Sequence, residues 1–121
     1  MNIQIQIIDN KDQRYETVGD WQPLMGPNLL ITVSDLGNPK MNALVAIHEL
    51  IEALLCKFND PEITTELVDA FDMSHENLDE PGESSEAPYH LQHTRATIIE
   101  KLLSDWLKID WDEYEKRIQE L

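Results

Sequence analysis

The sequence predicts an α+β fold in a single domain that spans residues 1–121. Three observations indicate it: short strand-like segments lie near the N-terminus, residues 41–58 are apolar almost all round as a helix, and later segments have helical periodicity. A helix that is apolar all round is a buried helix. We therefore expect a small N-terminal antiparallel sheet packed on a buried central helix, with two or three further helices closing the core.

Three strands are expected before the central helix. Ile3, Ile5 and Ile7 alternate with polar residues, which is the period of a half-buried strand. After a turn, residues 14–18 can return as a second strand, and residues 29–34 are a short β-branched third strand. Residues 19–28 contain two prolines and two glycines and are expected to form a loop. Pro39 lies at or near the first turn of the central helix.

The C-terminal half is expected to be helical. Helices are predicted over residues 65–73 and 89–107, separated by a loop at 77–88, and a last helix follows Asp110, which can cap it with Glu113 three residues later. The side chains expected to face the core are Leu67, Val68 and Phe71, then Leu91, Ile98, Ile99, Leu102, Leu103 and Trp106, and finally Trp111, Tyr114, Ile118 and Leu121.

Composition limits the functional classes. The net charge is −15, from 24 acidic and 9 basic residues, so direct binding to nucleic acid is not expected. Such a surface could draw cations into a site, or let the protein compete with DNA for a host protein. No signal peptide and no membrane segment is recognised, and the single Cys56 rules out an internal disulfide. These features suit the cytoplasm.

One polar stripe interrupts the apolar central segment. His48 and Glu52 lie one turn apart on the same helical face, with Glu49 beside them. Ionised carboxylates inside a core are costly unless they are paired or bind a metal. This stripe therefore predicts the functional site.

The string His48-Glu49-Leu50-Ile51-Glu52 is H-E-x-x-E, and it resembles the H-E-x-x-H helix of zinc metallopeptidases with glutamate in place of the second histidine. The resemblance implies a zincin-like fold and a metal-dependent hydrolase, for which a peptide is a candidate substrate. His48 and Glu52 would be ligands, and Glu49 would be the catalytic base that activates water. Zinc is favoured, and the carboxylate ligand also suits manganese, iron or magnesium.

A single metal ion needs a third ligand from another segment. His93 is preferred, because on the predicted helix it borders Ala96, a small residue that permits close approach of the central helix. The other candidates, ranked below His93, are His90, Asp72 and Asp69.

A broader resemblance covers most of the chain. It rests on the motifs GDW at 19–21, HELIEALLC at 48–56, VDAFD at 68–72, EPG at 80–82 and APYHLQH at 87–93. Together these motifs resemble those of a group of small bacterial and phage proteins. The resemblance implies a bacterial or phage source and the cytoplasm of a bacterium or phage-infected cell.

Three other interpretations compete for the same residues. Glu49-x-x-Glu52 followed by Glu66-x-x-Asp69 resembles the carboxylate pattern of all-α nucleotide pyrophosphohydrolases, which hold magnesium against a triphosphate. A non-enzymatic acidic phage protein could instead occupy a DNA-binding surface of a host protein. The polar stripe could also be a metal-free hydrogen-bond network in the core.

Overall fold

A computed structural model describes residues 1–78 and 80–121, so that within the predicted loop at 77–88 Asp79 lies outside the described residues. The described chain contains three strands and four α-helices, which confirms the α+β class. The elements in chain order are β1 (Ile3–Ile8), β2 (Gly19–Pro23), β3 (Leu29–Ser34), α1 (Pro39–Leu54), α2 (Thr65–Ser74), α3 (His90–Trp106) and α4 (Trp111–Gln119). A π-helical turn, Leu55–Asn59, continues α1.

The sheet is mixed, with the strand order β1-β3-β2. β3 pairs in parallel with β1 and antiparallel with β2. The prediction of an antiparallel sheet was therefore wrong for β1, whose pairing with β3 is parallel. It was also wrong about the second strand, which is formed by Gly19–Pro23 in the predicted loop and not by residues 14–18.

Residues 14–18 lie outside the sheet, and the side chain of Arg14 contacts carboxylates of two other segments. The Arg14 guanidinium forms ion pairs with Asp20 at 2.8 Å and with Asp69 at 2.9 Å. These partners come together only in the folded chain, and the local pattern carries no sign of them. β2 in turn is an edge strand, where Pro23 is tolerated because its missing N–H is not needed on the open side.

α1 packs against β2 and β3 on one side and against α3 on another. Asn38 caps its N-terminus by accepting hydrogen bonds from the backbone N–H groups of Lys40 and Met41, and Pro39 begins the helix as predicted. The core between α1 and the sheet consists of buried apolar side chains, chiefly Trp21, Leu29, Ile31, Val33, Leu44 and Val45. Cys56 is also buried.

α3 is rotated relative to the sequence prediction. Its buried face carries small and polar residues, namely Gln92, His93, Ala96, Glu100 and Ser104. Most of the predicted inward side chains are exposed instead, namely Leu91, Ile98, Ile99, Leu102 and Trp106, and Leu103 is half-buried. The physical reason lies on α1, whose facing stripe is polar and must be matched by hydrogen-bonding partners. α3 therefore buries polar side chains that can hydrogen-bond with this stripe and leaves its large apolar side chains exposed.

The two shorter helices follow the prediction more closely. On α2, Val68 is buried and Phe71 half-buried, whereas Leu67 is exposed. On α4, Tyr114 is fully buried, its neighbours Trp111 and Ile118 are half-buried, and Leu121 is exposed. The Asp110 side chain accepts a hydrogen bond of 2.9 Å from the backbone N–H of Glu113, so the predicted cap is confirmed. Within the described residues, no helix is both long and apolar enough to cross a membrane.

Candidate metal centre

Three buried side chains from α1 and α3 converge on one point. His48 Nε2 lies 3.3 Å from Glu52 Oε2 and 3.1 Å from His93 Nδ1, and His93 Nδ1 lies 3.1 Å from the same Glu52 oxygen. Ligand atoms held at about 2.0–2.1 Å by a tetrahedral zinc ion lie roughly 3.3 Å apart. The spacing of this triad therefore matches a tetrahedral metal site before any rearrangement.

Outer hydrogen bonds orient two of the three triad residues. His48 Nδ1 lies 2.7 Å from Glu100 Oε1, and the Tyr114 hydroxyl donates to the other Glu100 oxygen at 2.6 Å. The Trp21 indole N–H donates to Glu52 Oε1 at 3.0 Å. When His48 Nδ1 donates its hydrogen to Glu100, the lone pair of neutral Nε2 is directed at the other two triad atoms. Carboxylate–histidine pairs of this kind are typical of metal sites.

The charges within the triad stabilise one another. Burial by itself would raise the pKa of Glu52, but hydrogen bonds from His48 and His93 outweigh it and lower the pKa to about 2. Burial opposes protonation of His48, yet its contacts with Glu100 and Glu52 raise its pKa well above the usual value. In the metal-free protein a proton can therefore occupy the centre of the triad, where it holds the histidines and Glu52 together.

Glu49 lies beside the triad on the wall of the adjoining cavity. It packs against Gly19 so closely that a Cβ at Gly19 would lie 2.7 Å from Glu49 Cγ and 2.8 Å from its Oε1. Burial, followed by the charge of Glu52, raises the pKa of the Glu49 carboxyl well above its ordinary value. Glu49 is thus held next to the candidate ligands without being one of the converging triad atoms.

A cavity of about 390 Å³ opens beside the triad and is lined by all three of its residues. Among the described residues on its wall are ten carboxylic side chains and no lysine or arginine. A cavity lined by one sign of charge concentrates ions of the opposite sign. The geometry therefore favours cations at this site and disfavours phosphate groups.

The other candidate ligands lie away from the centre. His90 Nδ1 contacts the backbone oxygen of Gly82 at 3.0 Å. Asp69 is paired with Arg14, and Asp72 accepts hydrogen bonds from the hydroxyls of Tyr15 and Tyr89. None of the three belongs to the converging triad, which contains the preferred His93.

A second acidic group borders His93. Glu80 and Glu83 have carboxylate oxygens within 4.8 Å of each other and of a His93 ring nitrogen, and burial together with the Glu83 contact raises the pKa of Glu80 to about 8. His93 Nε2 is buried without a hydrogen-bond partner among the described residues. Gly82 lies against the same ring, and a Cβ there would lie 2.5 Å from Nδ1. The position of the imidazole therefore depends on glycine at position 82.

Sequence reasoning missed three residues around the triad, namely Glu100, Tyr114 as a hydrogen-bond donor, and Trp21. Glu100 follows His93 by seven residues, which is two helical turns on the same face, so helical spacing could have linked the two residues. The assignment of an apolar inward face to α3 concealed this link. Trp21 and Tyr114 reach the site from distant segments, and no local signal indicates their partners.

Scans of protein-family models, of curated proteins and of solved structures found no match to this chain.

Proposed function

We propose that the protein binds one divalent metal ion through His48, Glu52 and His93 and that it is a metal-dependent hydrolase with Glu49 as its general base. The observation that carries the proposal is the convergence of three buried electron-pair donors at separations of 3.1–3.3 Å. Such atoms repel one another unless a proton or a metal cation lies between them. The surrounding carboxylates add to the attraction for a cation.

Zinc is the favoured ion. Two histidines and one glutamate are a donor set of catalytic zinc sites, which keep a further position open, and manganese, iron or magnesium remain alternatives because of the carboxylate. A bound divalent cation lowers the pKa of water and polarises a carbonyl oxygen. Glu49 lies on the cavity wall beside the ligands, and in this proposal it accepts a proton from a water molecule. Glu100 and Trp21 orient the ligands.

A peptide is the proposed substrate class, and the zincin-like relationship belongs to the same proposal. The motif helix packs against the sheet, and the cavity beside it is large enough to admit a side chain or a short segment. The pyrophosphohydrolase alternative has less support, since Glu66 is exposed and Asp69 is paired with Arg14, away from the triad. The bacterial or phage cytoplasm stays the proposed setting.

The first test is metal content and zinc affinity of the purified chain. We expect one equivalent of metal by mass spectrometry, and zinc binding in calorimetry that weakens at least tenfold in His48→Ala and in His93→Ala. His90→Ala is the matched control, because it removes a histidine from the same helix without touching the triad. A hundredfold excess of zinc over its Kd would raise the unfolding free energy by about 2.7 kcal/mol.

The variant Glu49→Gln tests whether Glu49 is a metal ligand or the general base. This variant is expected to keep its metal and to lose hydrolysis of peptide substrates, since a water-activating base is not a ligand. Loss of metal equal to that in His48→Ala would overturn the roles assigned here. Wild-type protein that neither contains nor binds a divalent metal would leave the triad as a polar core network and refute the proposal.

A further inference from the structure

The outer edge of the sheet carries an apolar row that the fold leaves uncovered. In β1 the exposed fractions of Ile3, Ile5 and Ile7 are 39%, 49% and 47%. The register pairs these residues with Leu29, Ile31 and Val33 of β3, which are fully buried under α1. The three isoleucines therefore lie on the same face of the sheet as the core side chains of β3, but α1 does not cover them.

The backbone of this strand is also open on one side. β1 is an edge strand, paired only with β3 among the described residues. Proteins usually block such an edge with charged residues, proline or a bulge. The six residues Ile3–Ile8 contain no charge and no proline, and they pair in an unbroken register with β3. The edge is thus competent to receive another strand.

We propose that this edge pairs with β1 of a second copy of the chain, antiparallel and centred on Ile5, so that two sheets join into one of six strands. The strand is self-complementary about that residue: Ile3 would lie opposite Ile7, Gln4 opposite Gln6, and Ile5 opposite itself. Ile3, Ile5 and Ile7 of both copies then share one face and contact across the strands. Isologous pairing of this kind closes on itself as a dimer.

Local charge permits a second copy at this edge. In the proposed register Asp9 would lie opposite Met1 of the second copy, so no acidic residues face each other along the paired segment. An uncharged strand offers nothing to select a basic or an acidic partner. Each chain nevertheless carries a net charge of −15, so repulsion at longer range opposes association. Dimerisation is therefore expected to strengthen as salt screens that repulsion.

The pairing leaves the candidate metal centre open. Among the described residues, the cavity wall is formed by β2, the helices, the segment that precedes β2 and the loop residues 78 and 80–83, and it includes no residue of β1. β2 lies at the opposite edge of the sheet from β1. The dimer and the metal site are therefore independent, and failure of one proposal does not decide the other.

The test measures the molecular mass in solution by sedimentation at low and high salt. The wild-type full chain is compared with two lysine variants. Wild type is expected to be a dimer that tightens with salt. Ile5→Lys would place two ammonium groups opposite each other and weaken association at least tenfold. Met25→Lys is the matched control, because Met25 is 92% exposed and receives the same charge change. It is expected to remain dimeric.

Cysteine cross-linking tests the register of the two β1 strands. It gives an independent result if the lysine variant fails to fold. Ile5→Cys is expected to form a disulfide-linked dimer readily, because directly opposed strand residues have Cα atoms about 4.5–5.5 Å apart. Gln4→Cys would lie beyond the roughly 7 Å limit from its own copy and is expected to cross-link only by collision. A monomeric wild type at high salt, a dimer that survives Ile5→Lys, or equal cross-linking of both cysteine variants would each overturn the proposal.

Discussion

At the scale of single residues, the geometry of the candidate site depends on side chains that would not be ligands of the proposed metal. Glu100 reaches from α3 to His48 Nδ1, and Tyr114 from α4 holds the second Glu100 oxygen. Such partners fix the ring orientation of a ligand and raise its basicity. Side chains from α1, α3 and α4 are therefore linked, and if the proposed metal binds, its affinity is expected to depend on all three helices.

Glu100→Gln tests this positioning role. Glutamine keeps an oxygen that can accept the hydrogen bond from His48 but removes the charge, so zinc affinity is expected to fall about tenfold. Competition with a chelating dye measures the change. Glu120→Gln, on an exposed residue with the same loss of charge, serves as the control and should bind zinc as the wild type does. Unchanged affinity in Glu100→Gln would mean that the contact only supports packing.

At the scale of elements, α3 shows which interaction decides the orientation of a helix. Its exposed side carries large apolar residues, whereas its buried side holds His93 and Glu100 against α1. Burial of an aliphatic side chain contributes about 1.5–3 kcal/mol. Leaving the buried polar stripe of α1 without partners would cost a comparable amount for each unpaired group, and more for charged ones. The polar match therefore determines the rotation of α3.

This orientation predicts an unusual pattern of mutational effects. Ile98→Ser and Leu102→Ser on α3 are expected to change the unfolding free energy by no more than about 0.5 kcal/mol, because both side chains are exposed. Leu44→Ala on α1 removes a fully buried side chain and is expected to cost about 2–5 kcal/mol. Urea denaturation of the three variants measures the difference. A cost above 2 kcal/mol for Ile98→Ser would contradict the described rotation of α3.

At the scale of the whole molecule, acidic side chains lie in the interior as well as on the surface, and burial shifts their pKa values. Burial raises the pKa of Asp72 to about 6, and the hydroxyls of Tyr89 and Tyr15 offset part of the rise. A carboxyl whose pKa is higher in the folded state binds more protons there, so it destabilises the fold as pH rises through that range. The raised pKa of His48 acts in the same direction, because its stabilisation is lost at high pH.

The metal-free protein is therefore expected to be most stable at about pH 4, where most of the stabilisation from Glu52 is present and the folded-state Asp72 is still protonated. At lower pH the stability falls again, because the pKa of Glu52 is lowered to about 2 in the folded protein and its stabilisation is lost as the carboxylate is protonated. Urea denaturation at a series of pH values with a chelator present measures the curve. Asp72→Asn should flatten the decline between pH 4 and 6. A stability that rises steadily from pH 5 to 8 would contradict this account.

The sequence by itself determined the α+β class, the central helix with Pro39 at its start, the Asp110 cap of the last helix, and the helical spacing that places His48 and Glu52 on one face. These features follow from periodicity and capping, which act within a few residues of the chain. It also indicated His93 as the partner, a choice that the geometry accommodates.

Only the tertiary structure decided the parallel pairing of β1 with β3, the displacement of the second strand to Gly19–Pro23, and the rotation of α3. Each of these depends on partners far apart in the chain, such as Arg14 with Asp69 or His48 with Glu100. Local hydrophobic periodicity carries no information about such partners. Where a buried polar stripe requires matching groups, the cost of leaving it unpaired outweighs the apolar pattern from which α3 was predicted.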